Sequence, residues 1–450
     1  MASRRRRPLR VLIGREISRF GRRIAGAAGE AADHASDERS LHRALQRVYD
    51  LPDVVVDADR QPTINVLVPA FDFQSMSAGF FGVFQLARFL RTTGHNVRLV
   101  LFDEFAFDAE ACRKRFGDIP GLERLFDEVE VEYIGDRRRP LRVSPADVCV
   151  ATVWYSAHFA RKIGDALGGR RFLYLIQDYE TNFYAGNSLH ALAEETYAMD
   201  YVALFSTEPL RRLFVDNDVG GFASRGLPGI SFNNACAATL LDREVFLARN
   251  TAKPRRRLVF YSRPTVDRNM FHLTALALIT AYRRGIFDPS SWDCIGMGLG
   301  SATLELAPGV TSTALPRMTL KDYTATVAEF DVCLSLMASP HPSLVPMDCA
   351  GSGSLVVTNT FKTKTADYLR GISENIIPAA PRLDAIVAGL AEAVRRCEDL
   401  EARHQRAAEM NYPRAWEESL TVWHRRFIAR ELLGPAAERG IHQRPRSAAA

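Results

Sequence analysis

Two short apolar runs open the same pattern twice along this chain. INVLVPA (64–70) is followed by a glycine-bearing loop, a helical stretch over about 79–93 and a second run, NVRLVLF (96–102). RLVFYS (257–262) is followed by a loop, the helical stretch DRNMFHLTALALITAYRRG and the run WDCIGMGLG (292–300). A strand, a loop, a helix and a returning strand make a βαβ unit, whose parallel strands are buried on both faces and so read as continuous apolar runs. Phe80, Phe84, Ala87 and Leu90 share one face of the first helix, and Gly94 is placed to end it. ADVCVATVW, RRFLYLIQ and YVALFS extend the first set of strands; FDVCLSLM and GSLVVTN extend the second. The fold class expected is α/β, with one sheet within 62–245 and another within 256–411, joined through GLPGISFNNACA and the basic stretch KPRRR. A length of 450 residues suits two such domains. LDAIVAGLAEAVRRCEDLEARHQRAAEMN reads as one long amphipathic helix and PRAWEESLTVWHRRFIAREL as another, while the ending HQRPRSAAA reads as a disordered tail.

Charge is concentrated at one end. Residues 1–25 hold nine arginines against Glu16, a net of +8, and the rest of the chain carries −3. A basic surface spread over the body, as nucleic-acid binding requires, is therefore missing. Ile13, Ile17, Phe20 and Ile24 recur at helical spacing, with Arg15, Arg19 and Arg22 on another face. The basic extension 1–61 thus reads either as a solvated tail or as carrying an amphipathic helix that lies on an anionic membrane. No apolar run approaches the roughly 18 residues of a membrane span, and no secretory signal follows MASRRRR. The seven cysteines include no C-x-x-C pair, which suggests reduced core residues. These features give a cytoplasmic expectation with no metal site.

Candidate chemistry gathers where strands end. SMSAGFFG offers Gly79 and Gly82 only, short of a dinucleotide fingerprint. Arg263 and Arg268, five residues apart in FYSRPTVDRN, follow the first strand of the second domain. They read as guanidinium forks for a diphosphate beside a helix start, or as a surface pair matched by Asp267. In LMASPHPSLVPMDCAGSGSLVVTN, Asp348 sits early in a short helix. It complements the helix dipole and is placed to accept hydrogen bonds from a ribose, while Ser343 and the loop amides suit phosphate oxygens. In LYLIQDYETNFY, Gln177, Asp178 and Glu180 stand among Tyr179, Phe183 and Tyr184, as in a sugar site or a solvated turn. Trp154, Tyr155 and His158 read as core aromatics in preference to a binding platform.

Taken together, SAGFFGVFQLARFLRTTGHNVRLV, LIQDYETNFYAGNSLHALAEETY, FYSRPTVDRN, LSLMASPHPSLVPMDCAGSGSLVVTN and YPRAWEESL resemble glycosyltransferase family four, in particular the rhamnosyltransferases of bacterial cell-surface glycans. The likeness spans about 62–432. It implies a GT-B fold, two Rossmann-like domains facing a cleft, with a final helix (412–435) crossing back to the first. It also implies a retaining transferase that uses a nucleotide sugar, foremost dTDP-L-rhamnose, without a metal. The acceptor would be a glycan or lipid-linked glycan. Arg263 and Arg268 match the family's Arg/Lys pair on the donor diphosphate. Asp348 matches the second glutamate of its E-x7-E motif. The first falls at Pro340, a departure in which His341 or Ser343 takes part of the role. Gln177 and Asp178 fall where many members place a histidine against the donor sugar, and Gly79 lies in the glycine-rich opening. The Pro340 departure also admits a different class of protein, a non-catalytic GT-B-like binder of glycans or partners.

Overall fold

The computed structural model describes residues 41–42, 44–70, 78–105, 107–117, 119 and 121–433. The arginine-rich stretch 1–25, the loop 71–77 and the ending 442–450 lie outside the described residues. Residues before Pro52 form a unit of their own, and the fold described here is that of the unit from Pro52 onward.

Its first sheet has seven strands: β1 Thr63–Val68, β2 Asn96–Leu101, β3 Glu130–Tyr133, β4 Val148–Ala151, β5 Phe172–Ile176, β6 Tyr201–Phe205 and β7 Gly229–Ser231. All neighbours are parallel, in the order β3-β2-β1-β4-β5-β6-β7. The second sheet holds β8 Arg256–Tyr261, β9 Trp292–Met297, β10 Thr313–Ala314, β11 Val332–Leu334, β12 Leu355–Asn359 and β13 Ile376–Ala379. It is also parallel, in the order β10-β9-β8-β11-β12-β13. Every residue of β1, β4, β5, β6, β11 and β12 is buried, which accounts for the unbroken apolar runs. Each sheet starts in its middle and reverses direction once, between β1 and β4 and between β8 and β11. In open α/β sheets, ligands bind outside the carboxyl ends of the strands at such switch points.

Helix α1, Ala78–Arg91, follows β1 and buries Phe84, Ala87 and Leu90; the chain then turns at Gly94 with φ +90°. Further helices that matter to the site are α2 Trp154–Ala166, α3 Glu208–Asp216, α4 Phe271–Arg283, α5 Leu320–Val327 and α6 Val345–Gly351. The long helix expected over 383–411 is two helices, α7 Leu383–Arg396 and α8 Leu400–Ala408. Asp399 breaks the run by capping the second with its side chain, which accepts from the Ala402 N–H at 3.1 Å. The helix expected over 413–432 is likewise divided, into α9 Trp416–Ser419 and α10 Val422–Ile428, because Thr421 starts a new helix and donates its N–H to His424 Nδ1 at 3.0 Å. This last segment crosses back to the first domain. His424 Nε2 meets the Ser231 carbonyl at 3.0 Å, Arg425 donates to Thr92 Oγ1 at 2.9 Å, and Leu420 and Ile428 join the first domain's core.

Candidate functional site

Beyond β8 the chain passes Ser262 and Arg263, and beyond β9 it passes Gly298. Gly298 has φ +147°, and a Cβ there would lie 2.3 Å from the Ser262 carbonyl oxygen and 3.1 Å from Arg263 Cγ. Glycine is thus required, and its bareness lets the Arg263 side chain lie along the strand end. Arg263 Nε is buried there without a protein partner. Arg268 occupies a single 3-10 turn, Asp267–Asn269, ahead of α4 and not the helix start that its sequence suggests. Its carbonyl accepts from the Ala338 N–H at 2.7 Å, which ties the loop after β8 to the loop after β11 across the switch point. Its guanidinium stacks on the Phe183 ring at 4.0 Å, and Nε stands 3.6 Å from Asp178 Oδ2. The two arginines therefore flank the switch point with different neighbours, Arg263 toward β9 and Arg268 toward the first domain.

Across the cleft, β5 ends at Ile176 and delivers Gln177 and Asp178. Asp178 is buried and accepts a hydrogen bond from Ser339 Oγ of the second domain. Asn182 donates to the Ala338 carbonyl at 3.3 Å, and Thr363 Oγ1 donates to the Pro209 carbonyl at 2.5 Å. Three polar links and one ion pair thus join the first domain to the segments that follow β8, β11 and β12 of the second. The structure joins Asp178, Arg268 and the loop of Ser339, Pro340 and His341 in one place.

His341 is buried, and its Nδ1 accepts from the Ser343 N–H at 2.9 Å. Burial pushes its pKa down to about 4, so the imidazole is neutral. Ser343 has φ +68°, a left-handed conformation that holds this tight turn. Lys364 was not singled out by the sequence. It is fully buried, donates to the Met337 carbonyl at 3.0 Å and lies in the field of Asp178; burial draws its pKa down to about 7. Nothing in TFKTKTADY distinguishes Lys364 from Lys362, which is exposed.

Glu180 is not a solvated acid. Its Oε2 accepts the Trp154 N–H at 2.5 Å at the start of α2, and burial raises its pKa to about 8. Trp154, Tyr155 and His158 are buried core residues. Asp348 is 4% exposed, and both its oxygens are engaged: Oδ1 by the Ala237 N–H and Oδ2 by the Tyr323 hydroxyl, each at 2.7 Å. Burial raises its pKa to about 7. Asp348 thereby fastens the interdomain linker to α6. Gly79 is the second residue of α1, half-buried. Among the described residues, no group of three or more His, Cys, Asp or Glu side chains is placed to hold a metal, and no helix is long and apolar enough to cross a membrane. All seven cysteines are buried and free.

Comparison with known proteins agrees with this architecture. Residues 63–208 match the model of the WsaF N-terminal domain and residues 256–391 that of the WsaF C-terminal domain. The chain is 30% identical over 352 residues to an O-antigen biosynthesis protein, RfbC, of Myxococcus xanthus; the match covers 74% of this chain but spans only 24% of that protein's length. Among solved structures, HepE from Anabaena, in complex with UDP and glucose, superposes with a TM-score of 0.53 at 12% identity, over 77% of this chain and 94% of that one. The pneumococcal O-GlcNAc transferase GtfA, in complex with UDP and GlcNAc, gives 0.52 at 10% identity, over 85% and 100%. At such identities the likeness speaks for the fold, which is GT-B. With both WsaF domains matched, in order and across well over half its length, the chain belongs to the WsaF family of glycosyltransferases.

Proposed function

We propose that this protein transfers a sugar from a nucleoside diphosphate carrier to a glycan acceptor in the synthesis of a cell-surface polysaccharide, with L-rhamnose from dTDP-L-rhamnose the foremost donor. The observation that carries the reading is the pair Arg263 and Arg268 at the second domain's switch point, with Arg263 Nε buried and unpartnered beside Gly298. A buried guanidinium nitrogen without an acceptor is costly unless a ligand supplies one, and phosphate oxygens suit its geometry. The rhamnosyltransferase resemblance and the O-antigen name of the Myxococcus relative support the glycan context.

The arrangement favours a retaining, front-face displacement. Neither carboxylate nearby is free to attack the anomeric carbon: Asp178 is held by Ser339 and Arg268, and Glu180 by the Trp154 amide. The acceptor oxygen bonds to the anomeric carbon on the side from which the phosphate leaves. The carbon–phosphate-oxygen bond breaks, its electron pair stays on the phosphate, and that oxygen takes the acceptor's proton. Arg263 and Arg268 neutralise the growing charge, the part that a divalent cation plays in other transferases. Purified protein given isotopically labelled nucleotide sugars and membranes of its host should move label from the dTDP-linked donor into the glycan fraction. Failure to consume any nucleotide sugar would overturn the proposal.

A further inference from the structure

Three adjacent strands of the first sheet end on polar atoms that have no partner. Gln177 follows β5, Ser206 and Thr207 follow β6, and Asn234 lies three residues beyond β7. Gln177 Oε1, Ser206 Oγ, Thr207 Oγ1 and Asn234 Oδ1 are all buried and unpaired. Ser206 and Thr207 are fully buried, and Asn234 is 3% exposed. Buried polar groups are nearly always satisfied, so a row of four calls for a ligand or water that completes it. Thr207 has φ +143°, a conformation costly for a β-branched residue and of the kind that clusters at binding sites.

Gly82, in the second turn of α1, lies against its two amides: a Cβ there would be 2.8 Å from Gln177 Oε1 and 3.3 Å from Asn234 Oδ1. The two amides converge over a residue with no side chain. Asp178, next to Gln177, is paired with Arg268, so the row borders the cleft in which the diphosphate reading places the donor.

We infer that the Gln177, Ser206, Thr207 and Asn234 row binds the hydroxyl groups of a saccharide, with Asn234 and the bare Gly82 setting which sugar fits. The inference rests on the transferase reading and adds to it the site that recognises the sugar. Two amides and two hydroxyls, uncharged and able both to donate and to accept, match vicinal sugar hydroxyls, which also do both, and carry no positive charge to balance a phosphate. Those hydroxyls belong either to the donor's sugar or to the acceptor.

The test uses the full chain carrying Asn234→Leu, which removes the amide at similar volume, or Gly82→Ala. The second change favours the helix, so it keeps the protein folded while its methyl displaces both amides. Calorimetry with dTDP alone should give affinities within about twofold of wild type for both variants, and label transfer into host membranes should fall by about tenfold or more, because sites built to hydrogen-bond a hydroxyl discriminate strongly when that bond is lost. If affinity for the dTDP-sugar falls while that for dTDP does not, the row holds the donor's sugar. If both affinities stand and transfer demands more acceptor, it holds the acceptor. Unchanged transfer in both variants overturns the inference. A wild-type protein that binds no nucleoside diphosphate contradicts the transferase reading instead.

Discussion

Asp348 and Glu180 are carboxylates that a linear reading places among binding groups, and both hold the chain to itself. Asp348 joins the linker amide of Ala237 to the Tyr323 hydroxyl. Asp348→Ala strands a buried N–H and should cost about 1–3 kcal/mol in denaturant unfolding, whereas Asp348→Asn, which keeps one acceptor, should cost less. dTDP affinity equal to wild type in Asp348→Asn would fit a purely structural role; a large loss without destabilisation would show that Asp348 also contacts the nucleotide. Glu180 is raised above the ordinary 4.5 to about 8 by burial, so the folded protein holds this proton more tightly than the unfolded chain. Stability contributed by the group is full below pH 4.5 and declines as pH rises toward about 8. Compared with Glu180→Gln, wild type should lose stability on the order of a few kcal/mol across that interval, read by urea unfolding at several pH values. Parallel curves for the two proteins would contradict the assignment. Arg263 and Asp178 stand out in the sequence because each lies two residues beyond a recognisable strand, and Arg268 because it shares the loop that Arg263 opens. Lys364 and Asn234 do not, because only folding shows that one lysine is buried and that one amide lies against Gly82.

Among the elements, the strands were easy to read and the late helices were not. A strand buried on both faces is apolar throughout, and its limits show in the sequence. The run 383–411 keeps a helical period across its break, so periodicity alone hides the cap at Asp399. Helix α6 shows a further limit of local reasoning. Gly351 ends it, and helix propensity alone would favour alanine there. A Cβ at Gly351 would lie 2.6 Å from Ala238 Cβ and 2.7 Å from Met410 Cε, so linker and helix pack too closely to admit one. Gly351→Ala should therefore destabilise the protein by about 1–3 kcal/mol through overpacking, measured as a lowered Tm. A raised Tm would show that propensity prevails and that the linker yields.

At the scale of the molecule, two sheets with the same winding place their carboxyl ends toward one cleft, joined by the linker at Asp348 and by the returning helix α10. The two-domain plan could be read from the repeated strand–loop–helix pattern, but the links that close the cleft could not, since Asp178 and Ser339 are 161 positions apart. The arginine-rich stretch 1–25 lies outside the described residues, and its role is a separate expectation. Because the body from Pro52 onward is a unit of its own, deleting residues 1–45 should leave donor binding intact. Binding to anionic vesicles should be lost, since each arginine near such a surface contributes about 1 kcal/mol. Equal sedimentation of both forms with these vesicles at low salt would rule out membrane attachment through this stretch.

The central claim is that Arg263 and Arg268 hold a nucleoside diphosphate in this cleft. Isothermal calorimetry of dTDP binding to wild type, Arg263→Ala and Arg268→Ala tests it most directly. The account predicts measurable binding by wild type and a loss of about 1.5–3 kcal/mol in each variant, roughly ten- to a hundredfold in Kd. Wild-type affinity in both variants would contradict it.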